Sequence, residues 1–396
     1  IEKKLRLLEQ HETHPQWIDE IIPKNKQLLD QLNEYTQSLR AIEGDLKSLN
    51  HEKLNEQTKA VRSDLQALTM RIEVAISTLN RFLNTMKDPS RVKWIELHQL
   101  KSLLNVHLVD ADLDVSKALV DYLFSKFSTI ILCSATLTTN HQFSYIRERL
   151  GITPKNITHR KITENVYESP FDYKKQALLV IPRDMPLPSD AGFNSAAFEN
   201  IQKAIETCKG NVFVLFTSYQ MLEQCAGTLD KWMKDHHYPL FKHGDEQRQI
   251  LLNKFKTTPR AVLFGTDSFW EGVDVAGDAL RCVIIVKLPF KVPNDPMIQA
   301  RTEAILESGK DPFLEYSVPQ AIVKFKQGFG RLIRQKLDRG CVVCLDTRLI
   351  TKRYGQLFLN SLPECEHIFL NGNDLWPKVQ EFYRKTYYLV KQSPFS

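Results

Sequence analysis

Apolar residues in the first ninety positions recur at Leu28, Leu32, Tyr35, Leu39, Ile42, Leu46 and Leu49, in alternating steps of four and three. That spacing is the seam of a helix packed along a partner helix. A second seam runs through Val61, Leu65, Leu68, Ile72, Ala75, Leu79, Leu83 and Met86. Residues 50–57 between them are polar and carry no seam. The pattern predicts two long helices folded back on each other, with Pro89 ending the second. A dimeric coiled coil would use the same spacing, but the break in phase favours the hairpin.

Beyond Pro89 the period changes. Arg91–His98 and Asn105–Asp114 alternate weakly, as strands do, and Val115–Phe127 aligns Leu119, Leu123 and Phe127 on one helical face. The run Thr129-Ile130-Ile131-Leu132-Cys133 predicts a short buried strand, followed by a helix from near Thr139 that Gly151 caps. From about Ser169 short β-rich runs alternate with helical segments. Strands are expected at Ala177–Ile181, Val212–Phe216, Ala261–Phe264, Cys282–Val286 and Cys341–Leu345. Helices are expected at Asn194–Cys208, Gln220–Lys234 and Pro319–Arg334. Alternation of this kind predicts an α/β fold, an open parallel sheet covered on both faces.

Composition fits a globular chain without narrowing its chemistry: 42% of the 396 residues are apolar and 25% charged. The net charge of +6 permits a polyanionic partner without requiring one. Seven scattered cysteines suggest no disulfide framework and suit a reducing, cytoplasmic compartment. No apolar run approaches the roughly 18 residues of a membrane span, and no secretory signal opens the chain. A first residue of Ile1 rather than Met leads us to expect a piece of a longer protein.

The densest chemistry lies in Gln327-Gly328-Phe329-Gly330-Arg331-Leu332-Ile333-Arg334. On a helix, Gln327, Arg331 and Arg334 would share one face, and two forked guanidinium groups suit a phosphate chain. Gly330 would let that face approach its partner closely. The other reading is a solvated basic face, since Lys324, Lys326 and Lys336 lie nearby. Thr217 and Ser218 follow a predicted strand, where hydroxyls and backbone N–H groups serve equally for a phosphate or an ordinary helix cap. Gly265–Asp274 leaves another strand with hydroxyls at Thr266 and Ser268, carboxylates at Glu271 and Asp274, and Gly272 between them. Trp270 could stack on a base or sit in the core. Ser134, Ala135 and Thr136 follow the Thr129–Cys133 run. Cys341-x-x-Cys344 lies along a buried strand without a second pair and is not read as a metal site, and His236, His237 and His243 are read as surface residues.

Taken in order, these segments resemble the DinG/XPD-like superfamily 2 DNA helicases. Gln327–Arg334 is similar to the family's QxxGRxIR motif VI, Ser134-Ala135-Thr136-Leu137 to its SAT motif, and Phe216-Thr217-Ser218-Tyr219 to motif IV. Gly265–Asp274 is similar to motif V. Ser169-Pro170-Phe171-Asp172, Leu288-Pro289-Phe290 and Arg353-Tyr354-Gly355 are further landmarks, so the likeness covers residues 129–355. It implies an arch-like helical hairpin over residues 1–90, the remainder of RecA-like domain 1 over 91–165, and RecA-like domain 2 over 166–396. It also implies ATP and Mg²⁺ in a cleft between the RecA-like domains. Arg331, Arg334 and Gln327 would act on the γ-phosphate. Glu271, Gly272, Asp274, Gly330 and the Ser134–Thr136 segment would couple nucleotide to DNA. Thr217, Ser218, Thr266, Ser268 and Trp270 would face single-stranded DNA. The family's iron–sulfur cluster, where present, lies upstream of these motifs and is not expected among the cysteines here.

The sequence has no G-x-x-x-x-G-K-[ST] and no acidic box after a buried strand. The expectation is therefore the C-terminal motor part of an ATP-dependent helicase, unable to hydrolyse ATP alone; the resemblance implies a monomer that moves along single-stranded DNA, 5′ to 3′, in DNA repair or replication. The alternatives are a single-strand-binding and partner-docking module without ATPase function, or an accessory to a 3′–5′ exonuclease.

Overall fold

The computed structural model describes residues 2–48, 52–84, 88–100, 103–139, 141–158, 160–272, 275 and 277–391. The chain divides into two compact units, one of residues 1–119 and 292–310, the other of residues 120–291 and 311–396.

The first unit joins a helical hairpin to an antiparallel sheet. Strand β1 (Glu2–Arg6) pairs with β2 (Arg91–Leu100), which pairs with β3 (Leu103–Asp112). Helices Ile22–Ser48 and Glu52–Asn84 run antiparallel, tied by an Arg40–Glu73 ion pair and by Gln66 Nε2 donating to Glu43 Oε1 at 2.5 Å. The hairpin is the one expected, with its seam turned by a residue. Leu32, Leu39 and Leu46 are covered, but their companions are Leu29, Thr36 and Glu43, while Leu28, Tyr35 and Ile42 are exposed. On the second helix Leu65, Ile72, Leu79 and Leu83 are covered, with Arg62, Thr69 and Ile76 in place of Val61, Leu68 and Ala75. Two neighbouring stripes share the same leucines, and apolarity alone favours the one that the structure leaves exposed. Thr36 enters the seam because its hydroxyl donates to Leu32 O at 2.8 Å, leaving its methyl to pack. Leu49 and Met86 lie outside the described residues.

At the hairpin base Leu7, Trp17, Leu29, Phe82 and Leu83 form a core against Ile95 and Leu108 of the sheet. Lys93, 4% exposed, donates to the carbonyls of Arg81 and Phe82 at 2.6 and 3.0 Å, two of the acceptors left open by the last helical turn. Burial holds its ammonium below the usual lysine value. Helix Pro296–Glu307, distant in sequence, also belongs here. Glu303 takes a bidentate contact from Arg6 at 2.7 Å, and Asp295 caps the helix while pairing with Lys4 at 3.3 Å.

The second unit is built on seven parallel strands. They are β4 (Ala177–Pro182), β5 (Val212–Leu215), β6 (Leu240–Lys242), β7 (Val262–Gly265), β8 (Cys282–Ile285), β9 (Gly340–Cys344) and β10 (Glu366–Leu370), in the order β10-β4-β9-β8-β5-β7-β6. The five strands predicted in this unit from Ala177 onward are β4, β5, β7, β8 and β9, every residue buried. Burial on both faces is why they read as unbroken apolar runs. The strands missed, β6 and β10, are the edges, where one side meets water and the run is short or polar. Leu178, Val180, Val214 and Val343 enter one core with helices Phe193–Cys208, Tyr219–Asp235 and Gly372–Lys391. Leu179, Phe213, Leu215 and Val342 enter the other with helices Arg248–Thr257 and Val318–Phe329.

Thr129–Cys133 is not a strand, correcting the expectation, and Ile131 is 85% exposed. A strand exists only through hydrogen bonds to a neighbour, and among the described residues none lies beside this run. The helix ending at Gly151 forms as Ser144–Leu150, with Gly151 at φ 74°. No helix among the described residues is long and apolar enough to cross a membrane.

Replacing Lys93 by Met keeps the aliphatic packing but orphans two buried carbonyls. It is expected to cost about 1–3 kcal/mol, read as a lowered urea midpoint at unchanged slope.

Candidate functional site

Because all seven strands of the large sheet are parallel, the segments leaving their C-terminal ends share one edge, where ligands bind in open sheets. Thr217 and Ser218 follow β5 and Thr266 follows β7, and those strands are hydrogen-bonded neighbours. Ser218 caps helix Tyr219–Asp235, its Oγ accepting from Met221 N at 3.3 Å. The cap reading therefore holds whether or not a phosphate also binds. Thr266 is buried, and its Oγ1 lies 2.7 Å from His243 Nδ1, while the Tyr219 hydroxyl lies 2.8 Å from His243 Nε2. His243 is thus no simple surface residue. It follows β6, packs edge-on against Phe269 at 4.7 Å, and bridges the segments after β5 and β7. Burial, then the charge of Arg248, holds its imidazole below the ordinary histidine value.

Trp270 is the hub. Its ring is fully buried and its Nε1 donates to Phe216 O at the end of β5, 3.2 Å away. Base stacking is therefore closed to it in this conformation, and the core reading stands. Its own carbonyl accepts from Arg331 Nε at 3.1 Å and from the terminal guanidinium nitrogen Nη2 at 2.6 Å. Lys324 Nζ lies 5.7 Å from the ring centroid and pairs with Asp267. A Cβ at Gly328 would stand 3.1 Å from Trp270 Cζ3, so Gly328, not Gly330, permits the close approach of helix Val318–Phe329.

That helix ends at Phe329, with Gly330 at its C-cap, so Gln327, Arg331 and Arg334 do not share a helical face as expected. The glycine-flanked turn breaks the 3.6-residue period. Arg331 turns inward, 6% exposed, onto Trp270, whereas Arg334 stands exposed. Buried Asp338 shapes the loop between them and β9: its Oδ2 accepts from the backbone of Arg334 and Gln335 at 2.7 and 2.8 Å, and its Oδ1 from Gly277 N at 3.0 Å. One carboxylate thereby joins the arginine loop to the segment following Gly265–Gly272. Gln327 keeps a buried Oε1 that meets no hydrogen-bond donor among the described residues.

Glu271 and Gly272 are exposed. The Glu271 carbonyl accepts from Arg248, and Gly272 has φ 61°. Ser268 is exposed, and Asp274 lies outside the described residues. Ser134 Oγ accepts from Thr136 N at 3.2 Å in a local turn, with Ala135 exposed. The turn is attached to the arginine helix by Lys326, whose Nζ donates to Thr138 O at 2.9 Å and whose ammonium burial holds below its usual value. Sequence reasoning missed His243, Gly328 and Asp338. For Asp338 a signal was present, a carboxylate two residues before a buried strand. His243 had none, because its partners come from other strands.

Residues 201–365 match the helicase C-terminal domain family. The chain is 40% identical over 239 residues to the ATP-dependent DNA helicase YoaA of Haemophilus influenzae, covering 60% of this chain and 36% of that protein. It is 32% identical over 321 residues to the 3'-5' exonuclease DinG of Bacillus subtilis, covering 78% and 34%. To the ATP-dependent DNA helicase DinG of Photobacterium profundum it is 38% identical over 260 residues, covering 65% and 37%. The chain thus spans little more than a third of these curated relatives. A solved XPD helicase matches at 16% identity and a TM-score of 0.51, over 80% of this chain and 56% of that one, which is a likeness of fold.

Trp270→Phe removes the donor to Phe216 O and is expected to cost about 1–3 kcal/mol, while Trp270→Ala should cost about 3–5 kcal/mol, both read by urea denaturation. The folded pKa of His243 lies below its ordinary 6.5. The stability it contributes is complete above about pH 6.5 and is lost as pH falls through the lowered folded value. His367, lowered by burial, adds to the same loss. His243→Gln should therefore flatten, without abolishing, the fall of melting temperature below pH 6.5.

Proposed function

The chain being the C-terminal part of a DinG/XPD-like DNA helicase, we propose that it forms the arginine-bearing half of an ATP-driven motor that moves along single-stranded DNA. The observation that carries this reading is the set of hydrogen bonds that leads from the C-terminal sheet edge to the backbone of Arg334. Thr266 begins it, bonded to His243, which also meets Tyr219. Trp270 lies midway, bonded to the end of β5 and to Arg331. Gly277 ends it on Asp338, which holds the backbone of Arg334. In this proposal a phosphate displaced at one end is felt at the other through the buried side chains of Thr266, Phe269 and Trp270.

In this proposal the hydroxyls of Thr217, Ser218 and Ser268 and the nearby backbone N–H groups take the DNA backbone, with Thr266 holding His243 behind them. Arg334, exposed and backbone-anchored, is the residue that meets developing charge on a γ-phosphate. Arg331 positions it through Trp270 rather than touching nucleotide. Gln327, with its unspent acceptor, faces the nucleotide side. Glu271 and Gly272 couple the two sites, and so does Asp274. ATP and Mg²⁺ are gripped by a P-loop and acidic box in a preceding RecA-like domain, whose sheet would also pair the Thr129–Cys133 run. The protein works as a monomer in the cytoplasm. In a second reading, favoured by the B. subtilis relative named as an exonuclease, the same motor serves a nuclease.

The full-length protein should hydrolyse ATP with stimulation by single-stranded DNA, and the present chain alone should not. Arg334→Ala should lower turnover by roughly 10³- to 10⁵-fold with DNA binding retained. Asp338→Ala should lower kcat by about 10- to 100-fold through misplacement of Arg334, with little change in KM. A full-length protein that binds single strands without ATP turnover would reduce the reading to a binding module.

A further inference from the structure

Three cysteines from separate segments converge against the sheet. Cys282 and Cys341 stand in register on β8 and β9, and Cys208 is the last residue of helix Phe193–Cys208. All are fully buried, and their sulfurs lie within 4.8 Å of one another, with Cys208 and Cys341 4.0 Å apart. Tyr383, on the C-terminal helix Gly372–Lys391, places its hydroxyl 3.3 Å from Cys341 Sγ and 3.5 Å from Cys208 Sγ. We propose that these four side chains form a structural site for one thiophilic divalent cation, zinc, with three sulfur donors and one oxygen donor.

The distances support this geometry. Zinc–sulfur bonds of about 2.3 Å and zinc–oxygen bonds of about 2.0–2.2 Å make a tetrahedron with S···S edges of about 3.8 Å and S···O edges of about 3.5 Å. Cys208 and Cys341 need to draw in by about 0.2 Å and the other sulfur pairs by at most about 1 Å, and the hydroxyl is already near the required spacing from Cys341 and Cys208. Tyr383 binds as a neutral oxygen, since its proton is donated to Arg281 O at 2.7 Å. The cation displaces one proton from each thiol, and these three protons pass to solvent. Three thiolates and a divalent ion sum to one negative charge, which the Arg281 guanidinium, 4.8 Å from the Tyr383 ring centroid, offsets. The Cys341-x-x-Cys344 spacing is irrelevant to the site. Positions an odd number apart on a strand face opposite ways, and Cys344 belongs to the other core. Once bound, the ion fastens the two covering helices to the central strands.

The test uses the full chain and is independent of the motor reading. Produced in zinc-replete cells, it should carry about one zinc per chain by elemental analysis, lost in Cys208→Ser and Cys282→Ser and kept in Cys225→Ser and Cys344→Ser. After chelation, cobalt(II) titration should give thiolate-to-cobalt charge-transfer absorption with tetrahedral visible bands, and Tyr383→Phe should alter the visible bands while sparing the charge transfer. If the serine variants fail to fold, the zinc content and cobalt spectrum of the unaltered chain decide. A cooperatively folded chain that holds no stoichiometric zinc and gives no charge-transfer band on cobalt addition would overturn the proposal, leaving three core thiols.

Discussion

The buried indole of Trp270 holds together segments that are far apart in sequence. Its N–H closes on the last carbonyl of the β5 region, its carbonyl takes the Arg331 guanidinium, and its ring fills the space left by Gly328. In a low-dielectric interior the charged Arg331 is tolerable only because its donors are satisfied there. Remove the indole, and the Phe216 carbonyl and the helix at Gly328 lose their common partner, while the backbone carbonyl that takes Arg331 loses the packing beside it. The exposed groups at the sheet edge and in the arginine loop keep their places because this buried joint is fixed.

Asp338 performs the matching task at the other end. A loop with no regular structure has backbone N–H groups that must be satisfied, and one carboxylate takes two of them together with that of Gly277 from another segment. Two arginines that look equivalent in sequence thereby acquire different work. Arg331 is spent inside the fold, and Arg334 is left exposed at a loop whose backbone is held. For the proposed motor this division lets buried polar bonds set positions and leaves few exposed groups for the chemistry.

The first unit follows a different logic. Among the described residues its two helices bury few apolar side chains, Leu29, Leu39, Phe82 and Leu83, and its base depends on the antiparallel sheet and on Lys93 closing the helix end. Helix Pro296–Glu307 enters this unit from the far side of the sequence through ion pairs with Lys4 and Arg6. Chain order and spatial order part here, since a covering helix need only match the face it packs on.

By itself the sequence determined the α/β class, the five fully buried strands from Ala177 onward, three of the covering helices (Phe193–Cys208, Tyr219–Asp235 and Val318–Phe329) and the two hairpin helices. These depend on period and apolarity, which are local properties of the chain. It also marked Gln327–Arg334, Gly265–Asp274 and Thr217–Ser218 as the segments of interest. Tertiary structure alone decided the edge strands β6 and β10, whose pattern is diluted by water on one side, and the fate of Thr129–Cys133, which has the composition of a strand but no described neighbour to bond. It chose between two hairpin stripes that share the same leucines. It turned Arg331 inward and Arg334 outward, because a turn ends the helix that spacing alone would extend. And it gathered His243 with Thr266, and Cys208 with Cys282, Cys341 and Tyr383, because parallel strands lay remote residues side by side, where no sequence interval records the meeting.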